Sequence, residues 1–563
     1  MVMTPDNPMF RRLELMQRRW QVMLTDRKQF DSHIQTVAQN LLPRQSRFFS
    51  SDRNRGGDRN QSIIDSAGTQ ALRILSAGMM AGMTSPARPW FKLDVADPQL
   101  AKDPEVKRWL HEVTQMMLRI FRKSNTYNSL HFMYRELGGF GTGCSVLQPD
   151  FNNVIHHSTM TFGEYALALD DKGQVNTLGR EFELDIMQAV SWFGVENLSV
   201  GARNAYDQSN YGHKITVLHV IEPRVDRDIR KKDAVNMAWK SCYAELGTEG
   251  TKKNSEGMLR ESGYKDFPAL APRWDVLFND TYGSSPGMDA LGDILQLQQE
   301  QYRKSEGIDY QARPPLQVPS SLKDNDANFL PGGVSYYDGA GPNSGIRTAF
   351  DVRLDLQYLL ADITEVKSRI NSAFYADMFL MLASLDKTNM TATEVAERHE
   401  EKLLMLGPVL ERLHNEMLSP LIENTFSRMV EVGIVPPPPE ALDGVELDVE
   451  FVSMLAQAQR AVGVNSVDRL IGHIGVLANA KPDVVDTFDA DKSVEKYADM
   501  LGVDPELIIP SEQVMLIRKQ RAQQQQAAAA AETADKAAGA IQKLGGVDTS
   551  GVNPNAGADL LSL

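Results

Sequence analysis

The stretch QARPPLQVPSSLKDNDANFLPGGVSYYDGAGPNSG, residues 311–345, does most to limit what this chain can fold into. Proline lacks the amide hydrogen a helix needs and its ring clashes with the carbonyl four residues back, while the interleaved glycines favour turns. The stretch therefore predicts an irregular, partly extended excursion. Its flanks predict the opposite. The run from Met288 to about Ser305 (MDALGDILQLQQEQY and onward) and the run RLDLQYLLADITEVKSRINSAFYADMF, residues 353–379, both read as helices. The chain thus leaves on one helix, makes a non-helical excursion and returns on another.

The first of these helices is preceded by YGSSPG, in which Gly283-Ser284-Ser285-Pro286-Gly287 fits the G-x-S-x-G of a serine-hydrolase elbow. An apolar run, WDVLF at 274–278, lies upstream, so a strand, a turn and a helix are all conceivable. Two details oppose a nucleophile. Asn279 to Tyr282 are polar and turn-prone where an elbow should leave a buried strand directly. The residue after Ser285 is Pro286, which has no N–H to offer an oxyanion hole. Ser285 is expected to cap or shape a helix start, with proline in the first turn.

Other chemical motifs also fail on context. Gly138-Gly139-Phe140-Gly141-Thr142-Gly143 follows the helical run SLHFMYREL and precedes the strand-like CSVLQPD, whereas a phosphate loop follows a strand and opens a helix. His399-Glu400 lacks the second histidine of HExxH, since position 403 is Leu403. His156-His157 has no ligand-spaced partners, and Cys144 and Cys242 show no CxxC spacing, so no metal, cofactor or disulfide is expected. ALRILSAGMMAGM, with Gly78 and Gly82 in GxxxG spacing, falls short of the ~20 apolar residues of a membrane span and contains Arg73. It predicts a buried helix packed closely through small residues.

The remaining elements are expected as follows. A long polar helix covers about 8–40, followed by a loop carrying Arg44, Arg47, Arg53, Arg55 and Arg59. PWFKLDV is extended, and Asp103-Pro104 opens a helix to about Lys123. Strands and turns dominate 144–280, with a hairpin about Asp171-Lys172-Gly173 and a helix near 185–197. Thr391 and Glu394 form a capping box for a helix to about Val432, which Pro408 and Pro420 should kink or divide. VELDVEF reads as a strand, helical segments follow, and the Ala/Gln-rich run after 511 has helix propensity but almost no large apolar face beyond Ile517. The final residues, GGVDTSGVNPNAGADLLSL, have a disordered composition.

With 563 residues the chain suggests roughly three or four structural units, and 42% hydrophobic with 24% charged residues describes a soluble globular protein, for which the expected fold class is α+β, mainly helical. A net charge of −15 argues against gripping nucleic acid over a broad surface; it is compatible with a surface that DNA slides past and equally with an acidic surface that serves solubility alone. The charged N-terminal run has no apolar signal core, so secretion is not expected.

In this order, LLPRQ, GTQALRILSAGMMAGMTSPARPWFKL, FGTGCSVLQPD, YGSSPGMDALGDILQLQQEQ, NMTATEVAERHEEKL and LGVDPELIIPSEQVMLIRKQRAQQQQ resemble the portal proteins, or head-to-tail connectors, of short-tailed bacteriophages. The resemblance implies a wing, stem, clip and crown fold assembling as a closed dodecameric ring. On it, residues 1–285 are the wing region, 286–306 and 352–375 the two stem helices, 307–351 the clip and 376–390 a channel-lining tunnel loop. Residues 391–510 are then a long kinked helix with wing and crown, and 511–563 a crown or barrel helix with a disordered tail.

It further implies a non-enzymatic virion component, assembled in the host cytoplasm, that passes double-stranded DNA during packaging and ejection. Its partners would be the terminase large subunit, a tail adaptor protein, and capsid and scaffolding proteins, with no membrane. Lys387, Arg353, Lys367 and Arg369 are the candidates for transient phosphate contacts in the channel. The alternatives are another virion component, such as a tail adaptor or scaffold, and a hydrolase using Ser285.

Overall fold

The computed structural model describes residues 8–45, 61–97, 99–231, 233–247, 258–319, 330–337, 347–348, 356–384, 405–445, 447–453, 474, 492–494 and 514–526. The chain divides into two units, Met1–Val462 and Gly463–Leu563.

In the first unit, α1 (Pro8–Leu41), α2 (Ala67–Met83), α3 (Pro104–Lys123) and α4 (Thr126–Phe140) come first, interrupted by strand β1 (Phe91–Val95). The start of α3 is set as the sequence implies: Asp103 accepts from the Glu105 N–H at 2.8 Å and Pro104 occupies the first helical position. Its buried residues Val106, Trp109, Leu110, Val113, Met117 and Phe121 recur at three- and four-residue spacing, which turns one stripe to the core. The small residues of α2 allow close approach. Gly78 lies against the Phe379 ring and Leu72 and Leu75 lie against Gly138 of α4, so any added β-carbon would overlap its neighbour.

Strands β2 (Cys144–Asp150), β3 (Val154–Met160) and β9 (Ala269–Leu270) form a three-stranded sheet in the order β3-β2-β9. Strands β4 (Tyr165–Leu169), β5 (Val175–Asp185), β6 (Lys214–Pro223), β7 (Trp239–Glu245) and β8 (Met258–Tyr264) form an antiparallel meander in chain order. The alternation of β6 serves two layers. Ile215 and Val217 join α5 (Ile186–Phe193) and α6 (Val200–Asp207) in one core, while Leu218 and Val220 meet Met16, Trp20 and Met23 of α1 in another. The hairpin at 170–174 and the capped helix after Asp185 match the sequence reading.

After β9 come α7 (Pro286–Asp289) and α8 (Leu291–Ala312), then strands β10 (Leu316–Pro319), β11 (Val334–Tyr337) and β12 (Arg347–Thr348), then α9 (Leu356–Ala373) and α10 (Ala376–Ser384). The described parts of the excursion are extended and pair into a small sheet. β10 pairs in parallel with β11 and antiparallel with β12. Two boundaries differ from expectation. α8 runs to Ala312 rather than 306, because the first helix-breaking residues are Pro314 and Pro315 and the residue before a proline, Arg313, is pushed out of helical geometry. The segment expected as a loop at 376–390 begins as helix α10, because Ala376, Met378 and Phe379 are buried in the core.

A helix at 405–413, α11, continues through a π-turn at His414–Leu418 into α12 (Ser419–Val432). Pro420 has no N–H to return to the carbonyl four residues earlier, and the wider register just before it accommodates that missing bond. Gly433, at φ +74°, closes α12. Strand β13 (Leu447–Phe451) pairs antiparallel with β1, placing Phe451 opposite Phe91. The Thr391 capping box, His399-Glu400, Arg47, Arg53, Arg55, Arg59 and the C-terminal tail fall outside the described residues.

In the second unit the longest described element is α13, residues 514–526. Met515, Leu516 and Ile517 are 60%, 66% and 43% exposed, so the few large apolar groups of this helix are not buried. No described helix is long and apolar enough to cross a membrane.

Candidate functional site

Ser285 is 1% exposed and bonded on both sides. Its hydroxyl donates to the Gly139 carbonyl at 2.8 Å and accepts from the Met288 N–H at 3.0 Å, capping α7 with Pro286 as the first helical residue. A nucleophile would need a base at hydrogen-bond distance, and this hydroxyl bonds only backbone. The WDVLF run is not a strand: Leu277 and Phe278 are 74% and 96% exposed, and Phe278 has φ +49°. Ser285→Ala should therefore cost about 0.5–2 kcal/mol of stability through the lost cap, measured by urea unfolding, and leave ester-probe turnover at background.

The glycine run is equally structural. Gly141, at φ +74°, ends α4, and its carbonyl accepts from the Trp274 N–H at 2.8 Å. The Gly143 N–H goes to the Pro272 carbonyl and the Gly283 N–H to the Thr142 hydroxyl, at 3.0 and 2.9 Å. These amides lock the segment 272–285 onto the end of α4 instead of facing an anion.

Beside this joint lie charged groups that sequence reading missed. Arg273, 5% exposed, makes a forked contact to Glu416 of the π-turn, with Nη2 to Oε1 at 2.6 Å and its own N–H to Oε2 at 2.9 Å. Its remaining donors reach the carbonyls of Gly173 and Asp280. Glu136 of α4 is fully buried and accepts from the Thr161 hydroxyl at 2.9 Å and the Phe162 N–H at 3.0 Å. Burial pushes its carboxyl up to about 8, outweighing those two donors.

The Glu136 pKa is raised on folding, so the folded chain holds this proton more tightly. Stability should then fall as pH rises from the ordinary carboxylate range towards 8, by up to about 1.4 kcal/mol per pH unit from this group. Urea midpoints taken at several pH values should show that slope, and Glu136→Gln should flatten it.

The helix pair that frames the excursion is held by buried Ile294, Leu297, Ile363, Val366 and Ile370 and by polar clamps. Gln298 accepts from the N–H groups of Ile64 and Asp65 at 2.7 and 2.8 Å and donates to the Asp65 carbonyl at 3.0 Å. Of the four candidate channel cations, Lys367 pairs with Asp65 at 2.8 Å. Burial raises the Asp65 carboxyl, but the Lys367 bond and the Ala67 N–H together hold it below its ordinary value. Arg369 pairs with Asp293 at 3.0 Å and with Glu365 at 3.1 Å. Arg353 and Lys387 lie outside the described residues.

His157 is buried between the Thr126 and Ser145 hydroxyls at 3.1 and 3.4 Å, and burial holds it down to about 3. Among the described residues no group of His, Cys, Asp or Glu could hold a metal ion. The arrangement is built of caps, clamps and close backbone packing.

Comparison with known proteins supplies what this geometry does not. The sequence matches the family described as bacteriophage head to tail connecting protein over residues 13–509. It is 57% identical over 540 residues to a probable portal protein of Bordetella phage BPP-1, covering 96% of each chain. It is 43% identical over 498 residues to the portal protein of Salmonella phage epsilon15, covering 88% of this chain and 89% of that one. A chain from the virion of a native gene transfer agent particle aligns with 78% of this chain and 91% of its own, at 11% identity and a TM-score of 0.37, too distant to carry an argument.

Proposed function

The chain belongs to the family of bacteriophage head-to-tail connecting proteins, the portal proteins, and from that premise we propose that it closes into a dodecameric ring at one capsid vertex. Double-stranded DNA enters through the ring's axis during packaging and leaves through it on ejection. The observation that carries this reading is the 57% identity to a phage portal protein across nearly the whole of both chains.

The helix pair suits a channel wall. α8 and α9 carry the carboxylates Asp293, Glu300, Glu306, Asp309, Asp362 and Glu365 against the cations Arg303, Lys304, Lys367 and Arg369. A wall that is net acidic, with cations shared among carboxylates, gives phosphate little hold, as a moving strand requires. Lys367 and Arg369 then act on DNA as members of ion pairs, while Arg353 and Lys387 supply the more transient phosphate contacts. The small sheet of β10, β11 and β12 forms the docking end for the terminase large subunit and later for a tail adaptor. Capsid and scaffolding proteins surround the ring, and a separate ATPase supplies the energy.

Native mass spectrometry of the purified full chain tests the assembly. A dominant species near ~750 kDa, a dodecamer of the 62.7 kDa chain, is expected. A 62.7 kDa monomer at all concentrations would remove the ring.

A further inference from the structure

Two surfaces of the first unit carry charge and exposed apolar area that the described residues of their own protomer satisfy only in part, Asp275 being paired with Arg412. One is on α2 and α4, where the guanidinium groups of Arg73 on α2 and Arg135 on α4 form a cationic face beside His131, whose imidazole partial burial and then the Arg135 charge hold below its ordinary value. His131 and Arg135 are four residues apart and so share a side of their helix. None of the three side chains has a hydrogen bond or ion pair among the described residues, and the Nε of Arg135 is buried without a partner. Glu136 forms no ion pair with them, because its carboxyl is turned inward to Thr161 and Phe162. Arg73 is close enough to act, after partial burial, as the second cause holding Arg135 below its ordinary value. Ala77 and Ala81, four and eight residues beyond Arg73 on α2, are exposed and small, and Phe132 beside His131 is half-buried.

The other surface is the loop at 275–280 with Asp289 at its base. Asp289 has no side-chain partner among the described residues, and partial burial followed by the Asp275 charge raises its carboxyl. The described cation beside Asp275 is Arg412, at 3.3 Å. At the tip, Leu277 and Phe278 are exposed, and Phe278 sits at φ +49°, a backbone state unfavourable for a bulky side chain. The tip does not float. Arg273 holds the Asp280 carbonyl at 3.2 Å and Arg412 holds the Trp274 carbonyl at 3.1 Å. A rigid loop that presents two large apolar groups beside two carboxylates has the composition of an interface.

Within one protomer the charges acting on Arg135 are those of Arg73 and Glu136, and the charge acting on Asp289 is that of Asp275. A ring of identical subunits needs a heterologous contact, made from two different patches of each chain. We propose that these are the two patches: the 275–280 loop and Asp289 of one copy dock on the Arg73, His131 and Arg135 face of the next. The loop tip lies over the small residues of α2 and the carboxylates meet the guanidinium groups. Duplex phosphate would answer the cations but leave Leu277, Phe278 and Asp289 without a partner.

This inference rests on the ring reading, and the test separates the two. Full-length wild type, the Arg73→Glu/Arg135→Glu variant and the Asp275→Arg/Asp289→Arg variant are purified, and their mass distributions are compared at equal concentration, with cooperative thermal unfolding as the control for folding. Each double reversal should lower the ring fraction at least tenfold. Mixing the two should restore it, because alternating copies place opposite charges at every contact of an even-membered ring. Phe278→Ser, at a side chain 96% exposed, should weaken assembly without touching the core and serves where a reversal fails to fold. Reversal variants that form rings as well as wild type overturn the proposal and leave the ring reading standing. Intact rings that lose retention of a duplex oligonucleotide overturn it in favour of phosphate. A wild-type chain that never forms rings overturns both.

Discussion

Gly141→Val should lower folding stability by about 3–5 kcal/mol, read as a fall in the urea midpoint and a loss of soluble yield. Two costs add at this position. Gly141 has φ +74°, where a β-branched residue is strongly disfavoured. A β-carbon there would also overlap the Gly283 carbonyl, a backbone atom rather than a movable side chain. The backbone cannot retreat, because the Gly283 N–H is tied to the Thr142 hydroxyl and the Gly141 carbonyl to the Trp274 N–H. Gly173→Ala separates the two costs. Gly173 has φ +76° with nothing within 4 Å of an added β-carbon, so only the backbone cost remains, about 1 kcal/mol.

Arg273→Ala should cost about 2–4 kcal/mol, near the lower part of the range for breaking a buried ion pair, because the Glu416 side chain keeps 20% exposure. The loss includes more than one pair. The guanidinium also satisfies the Gly173 and Asp280 carbonyls, so three chain segments lose their common donor. Arg273→Lys restores the charge without the planar fork and should recover less than half of the loss. Denaturant unfolding with unchanged m-values would confirm that the effect is on stability rather than on the unfolded ensemble.

The parts visible in the sequence are those fixed by local chemistry. Asp103-Pro104 announces a helix start, and the Pro286 that disqualifies a nucleophile is the residue that lets Ser285 act as a cap. The ordering of motifs from LLPRQ to the Gln-rich helix carries the family resemblance, which the 57% and 43% identities support.

What the sequence hides depends on contacts between distant residues. Nothing local pairs Arg273 with Glu416, buries Glu136, or closes the excursion into a sheet by joining residue 316 to 334 and 348. WDVLF reads as an apolar segment because apolarity normally signals burial, yet its last two residues face outward. The continuation of α10 beyond Phe379 is hidden for the converse reason, since its apolar face has meaning only once α2 brings Gly78 against Phe379. Charge and the positions implied by the resemblance single out the candidate cations, and the structure shows Lys367 and Arg369 already shared with carboxylates that lie far away in sequence.

Electron microscopy of the purified full-length chain, without additives, tests the central claim most directly. The account predicts closed rings with twelvefold rotational symmetry and an open axial channel. Particles of compact monomer size, or rings with no axial opening, would contradict it.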